Sequence, residues 1–220
     1  MKIFERLYDK SGQANSWDWL AWLLYYDDQL DAAEEAASRV LDLTPDEGGQ
    51  FTTCKCHRLL GLIYRSKGKT EEAITNFKTA LGIASPFNWH DEQFWNHFNL
   101  ATLFLNEERS DDAQAQVEHA KSHTINDLYL LGRAVELQGR IWIGESKFEE
   151  AKSGVLRAAD VFEKLGASME LEACRVILRS VEEKAKTPTA SSESSSNGEP
   201  LGTVLFPTPA NSLFLAPGIE

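Results

Sequence analysis

Apolar and small residues recur through most of this chain at three-to-four spacing, in blocks separated by short polar turns. In LLGLIYRSKGKTEEAITNFKTAL, which begins at Leu59, the residues Leu60, Gly61 and Tyr64 fall on one helical face. A polar turn follows, and Ala73, Phe77 and Ala80 then repeat the pattern. The same order returns in LQGRIWIGESKFEEAKSGVLRAA from Leu137, with looser copies in NLATLFLNEERSDDAQAQVEHA from Asn99 and WLAWLLYYDDQLDAAEEAASRV from Trp19. Each copy predicts two helices, A and B, joined by a polar turn. Small residues recur where A must approach B closely, and large ones fill the gaps beside them. One such pair cannot bury both its faces, so the pairs must stack, and the predicted fold class is all-α.

The register is consistent across the copies. Leu60, Gly61 and Tyr64, then Gly68 in the turn, then Ala73, Phe77 and Ala80 mark the second. The first has Trp17, Leu20 and Ala21, then Ala33, Val40 and Pro45. The third has Leu100, Ala101 and Phe104, then Ala113 and Ala120. In the fourth, Gln138 replaces the leucine, while Gly139, Trp142, Ala151 and Ala158 keep the pattern. Over residues 14–165 this resembles the tetratricopeptide repeat (TPR) family. The resemblance implies a right-handed superhelix of helical hairpins, a non-catalytic scaffold that holds a partner peptide in a concave groove lined by helix A. Units begin at residues 14, 54, 94 and 132, spacings of 40, 40 and 38, longer than the usual unit of about 34. Such long units are similar to the arrays of kinesin light chains and of large signal-transducing ATPases. The extra residues fall in GGQFTT, NWHDEQ and LYLL, which predicts longer helices or longer inter-repeat loops.

Both ends depart from the repeat. IFERL (Ile3 to Leu7) matches VFEKL (Val161 to Leu165), which closes the fourth helix B. Residues 1–13 are therefore expected to be the remnant of a preceding helix B in a longer array, with an independent N-terminal helix as the alternative. In the longer-array case the chain would be the C-terminal sensor part of a larger signalling protein. An unfinished face at Ile3, Phe4 and Leu7 instead favours a self-associating structural subunit. MELEACRVILRSVEEKA, residues 169–185, predicts a capping helix, because Arg179 stands at its small-residue position and blocks close packing of a helix B. From residue 186 the composition shifts. TPTASSESSSNGEP lacks apolar surface and predicts a disordered tail to residue 220, its serines beside Glu193 being candidate phosphorylation sites. The Pro-punctuated apolar end, LGTVLFPTPANSLFLAPGIE, is either a docking segment or more of the same tail.

Charge and composition narrow the setting. Lys and Arg total 22 against 34 Asp and Glu, a formal net charge of -12, which argues against nucleic acid and anionic membrane as partners. Three cysteines make no disulfide framework and suit a reducing compartment. The N-terminus is not a signal peptide, and the longest apolar run, LAWLLYY (Leu20 to Tyr26), is too short to span a bilayer. The expected location is cytoplasmic.

The chemistry-bearing motifs do not support catalysis. Cys54 and Cys56 lie about 200° apart around a helix and cannot face one metal, while His57 takes a packing position equivalent to Trp17. Gly68, Lys69 and Thr70 form the end of a nucleotide-binding signature, but position 63 is Ile where that loop needs Gly. In NWHDEQFWNH, His90 and His97 are seven apart, nearly on one helical face, so a metal is conceivable there if the helix starts early. The preferred reading is an inter-repeat loop with Asp91 capping helix A. No cofactor, metal or enzyme activity is expected.

Carrying the groove positions over by register places Trp22, Tyr25 and Tyr26 from the first unit beside Lys55, Arg58, Leu62 and Arg65 from the second. Trp95, Phe98 and Thr102 follow from the third, and Arg133, Glu136 and Arg140 from the fourth. The cations Lys55, Arg58, Arg65, Arg133 and Arg140 outnumber the acids at these positions, Asp18 and Glu136. Arginine forks beside aromatic platforms suit an acidic peptide. The alternative is that the arginines pair with glutamates across repeats. The chaperone-binding clamp of the family is missing, since Asp18, Trp22, Arg58 and Leu62 occupy its positions.

Overall fold

A computed structural model describes residues 9–44, 48–124 and 127–186. Ile3, Phe4, Leu7, Pro45 and the tail from residue 187 lie outside them. The described residues belong to one compact unit and contain helices and turns but no strand.

Among the described residues nine α-helices follow one another: α1 (Lys10–Tyr26), α2 (Leu30–Leu43), α3 (Gln50–Ser66), α4 (Thr70–Ala84), α5 (His90–Asn106), α6 (Ser110–Ser122), α7 (Leu128–Gly144), α8 (Phe148–Leu165) and α9 (Ser168–Lys186). Consecutive pairs form four hairpins, and α9 packs on α8 and α7 at the end. Each A helix, α1, α3, α5 and α7, has 17 residues. They start four residues ahead of the unit starts inferred from sequence, so Lys10–Gln13 form the first turn of α1. The extra residues of the long unit are thus an added helical turn. In NWHDEQ, Trp89 is the N-cap and Asp91 lies inside the first turn of α5, where it complements the helix dipole instead of capping it.

Local signals explain the boundaries. Asp9 caps α1 by accepting from the Gly12 amide at 2.9 Å, and Asp127 caps α7 by accepting from Leu130 at 3.0 Å. The acidic pairs Glu71 and Glu72, Asp111 and Asp112, and Glu149 and Glu150 open the B helices, where the dipole favours negative charge. All four A-to-B turns share one form. Gln29, Lys69, Arg109 and Lys147 each donate back to the carbonyl five residues earlier, at 2.8–2.9 Å. The middle residue is left-handed in every turn: Asp28, Gly68, Glu108 and Ser146. Only one of the four is the glycine that this conformation favours.

Inside the hairpins the small positions have a steric reason. A Cβ on Gly61 would stand 2.5 Å from the Phe77 ring, and Phe77 is fully buried. Gly139 has Val155 pressed against it in the same way. Cys54 donates its thiol to the Ala80 carbonyl of its own hairpin, and Cys56 donates to Ala37 of the preceding one. The two cysteines therefore face different neighbours.

Candidate functional site

The A helices lie side by side, which brings the groove positions of successive units onto one face. Their charges form a ladder. Lys55 pairs with Asp18 at 3.0 Å. Arg58 lies over the Trp22 ring at 5.2 Å and grips Glu92 with two nitrogens, the closer at 2.8 Å. Arg133 lies over the Phe98 ring at 5.1 Å, with Glu136 at 3.6 Å and Glu170 at 4.0 Å. These three cations have carboxylate partners, two of them from a neighbouring repeat and Arg133 from its own helix and from α9.

Arg65 and Arg140 differ. Arg65 donates to the Asn99 side chain at 3.0 Å and has no carboxylate partner. Burial pushes its pKa down, Tyr25 pulls it back up, and the charge of Arg140 pushes it down again. Arg140 makes no hydrogen bond or ion pair among the described residues. Burial lowers its pKa first, Glu136 raises it and Arg133 lowers it. Both guanidiniums are half-buried, on α3 and α7, and Thr102 stands on α5 between these helices, its hydroxyl donating to the Phe98 carbonyl.

Of the other expected groove residues, Leu62 is wholly buried, and Trp95, Phe98, Arg133 and Glu136 are buried between helices. Tyr25 and Tyr26 remain accessible and form an aromatic cluster with Trp22, whose indole N–H is buried without a protein acceptor. Sequence reasoning missed Glu92, Asn99 and Glu170, the partners that sort these cations. Arg58 and Glu92, like Arg65 and Asn99, are 34 apart. A charge pair near the unit length is the signal that could have found the first.

A second cluster joins α5 to the end of α6. His90 and His123 bring their Nδ1 atoms to 3.4 Å, and the His97 ring stacks on His123 at 5.7 Å and on His119 at 5.0 Å. Burial lowers the pKa of both His97 and His123. Among the described residues no three His, Cys, Asp or Glu side chains are grouped to hold a metal, and no helix is long and apolar enough to cross a membrane.

A sequence model of the tetratricopeptide repeat matches residues 59–86, the hairpin with the fullest pattern. No curated protein matches the chain in sequence. A solved structure titled "Functional Characterization of Pseudomonas Aeruginosa pilF" is similar in fold, with a TM-score of 0.55 at 14% identity over 78% of each chain. "Crystal structure of BtubC (BKLC) from P. vanneervenii" aligns with a TM-score of 0.47 at 15% identity, over 90% of this chain and 98% of that one. The tetratricopeptide repeat is thus matched in the second hairpin, and the same hairpin architecture is carried through four.

Proposed function

We propose that this protein is a non-catalytic interaction module, and that its A-helix face binds an extended acidic peptide with one carboxylate seated between Arg65 and Arg140. The observation that carries the reading is the sorting of the cations. Lys55, Arg58 and Arg133 have carboxylates of the chain within ion-pair distance, whereas Arg65 and Arg140 have none. Half-buried like charges cost stability unless something compensates them, and a bound carboxylate would accept from both forks. Accessible Tyr25 and Tyr26 lie toward the N-terminal end of the same face and offer apolar anchors. Paired as they are, Arg58 and Arg133 hold the walls of the site.

The test is a fluorescence-polarisation screen of peptides carrying Asp or Glu, against matched peptides with Asn or Gln. The proteins would be wild type and an Arg65→Gln, Arg140→Gln double variant of equal helicity. Acid-dependent binding lost in the variant is the expected result. Binding that ignores the acid, or survives the double substitution, overturns the reading.

A self-associating structural subunit is the second reading. It is favoured by Trp19 and Leu23, a turn apart on α1 and 50% and 66% exposed. Concentration-dependent sedimentation separates the two. A place within a larger signalling ATPase-like protein rests only on the resemblance in unit length.

A further inference from the structure

The histidines were separate features along the chain, His90 and His97 in one stretch and His119 and His123 thirty residues on. Because α5 begins at His90, one turn earlier than a standard unit would start, its first turn reaches the end of α6. Four imidazoles then line up in a column, His119, His97, His123 and His90, each exposed or half-exposed.

We propose that His90 and His123 chelate a divalent transition-metal ion of the zinc type, which staples the first turn of α5 to the end of α6. The geometry carries this. Two imidazole nitrogens bound to one tetrahedral zinc at about 2.0–2.1 Å stand roughly 3.3–3.4 Å apart, and the two Nδ1 atoms are 3.4 Å apart. As a hydrogen bond that separation is long, whereas as a chelate bite it fits without moving the backbone. His97 is oriented as ligating histidines usually are. Its Nδ1 donates to the Gln116 side-chain oxygen at 2.8 Å, which leaves the lone pair on Nε2, and its ring stacks on His123. No third ligand converges in place, so water completes the coordination. Imidazole favours zinc, copper and nickel over magnesium and calcium.

The test is calorimetric titration of untagged, chelator-treated full chain with zinc chloride at pH 7.5, with His90→Gln, His123→Gln and, as a control, His57→Gln. The wild type and His57→Gln are expected to bind one zinc per chain. Each of the other two should bind about tenfold more weakly or worse, because the second imidazole acts at high effective concentration. Saturating zinc should raise the melting temperature of the wild type and leave that of His123→Gln unchanged. Circular dichroism checks that the variants are folded, and the exposed His90 at a helix start makes His90→Gln the safer of the two. Absence of saturable binding by the wild type overturns the proposal, as does equal affinity in His90→Gln and His123→Gln.

Discussion

The two faces of an A helix are built on opposite principles. Toward its own helix B, α3 packs glycine and leucine against an aromatic ring, and the contact is dry and steric: Gly61 against Phe77. Toward its neighbouring A helices it presents Lys55, Arg58 and Arg65, and the contacts are polar and cross-repeat: Asp18 on α1, and Glu92 and Asn99 on α5. The first face tolerates no change of volume. The second tolerates changes of shape but not of charge balance, and at Arg65 and Arg140 that balance is left open. The difference separates two kinds of contact: dry steric packing within hairpins, and polar contacts between them.

The steepest test of that contrast is Phe77→Ala, expected to cost about 3–5 kcal/mol, because the cavity opens in a fully buried hairpin core. Denaturant melts would measure it. Gly61→Ala comes next. Its methyl has nowhere to go while Phe77 stays, so overpacking of about 1–3 kcal/mol outweighs the gain in helix propensity. Gly82→Ala, with open space around it on the same hairpin, should instead stabilise by up to about 1 kcal/mol. If both substitutions had the same sign, the steric account of the repeat's glycine would fail.

On the other face the sign should depend on the partner. Glu92→Gln strips Arg58 of its carboxylate and is expected to destabilise by about 1–3 kcal/mol. Arg140→Gln removes an unneutralised cation and should be neutral or slightly stabilising. Equal losses in the two variants would erase the distinction between wall and site. The smallest effect is at a turn. Glu108→Gly should stabilise by about 0.5 kcal/mol, since that residue holds a left-handed conformation which Gly68 occupies freely in the second hairpin.

The cysteines add a test by pH. Burial pushes the thiols of Cys54, Cys56 and Cys174 up to about 12, against about 8.5 for an exposed thiol. With the folded value raised, their contribution to stability is intact below the unfolded value. It is lost as pH rises from there toward 12. Alkylation by iodoacetamide at pH 8 should therefore proceed only as fast as the chain unfolds.

The hairpins were legible because their packing rule is local. Gly61, Tyr64, Ala73 and Phe77 lie within one unit, and a helical period displays which of them meet. The extra turn was half legible: GGQFTT and NWHDEQ announced added length, but Gly, Asn and His at those points concealed that it is helical. The site was least legible. The register placed Arg58, Arg65, Arg133 and Arg140 on one face, yet nothing in it distinguished a cation that has met Glu92 from one that has met none. Leu62 shows the same limit, since a groove position by count is a core position in the stacked helices.

What the sequence by itself determined is the repeat: the number of hairpins, the residues that lock each one, and the acidic openings of the B helices. These follow from contacts among neighbours along the chain, where periodicity is geometry. What only the tertiary structure decided is which charges are paired, that Arg65 and Arg140 lack carboxylate partners, and that His90 meets His123. Those outcomes depend on the offset between stacked helices, and a shift of one turn exchanges every partner across the interface.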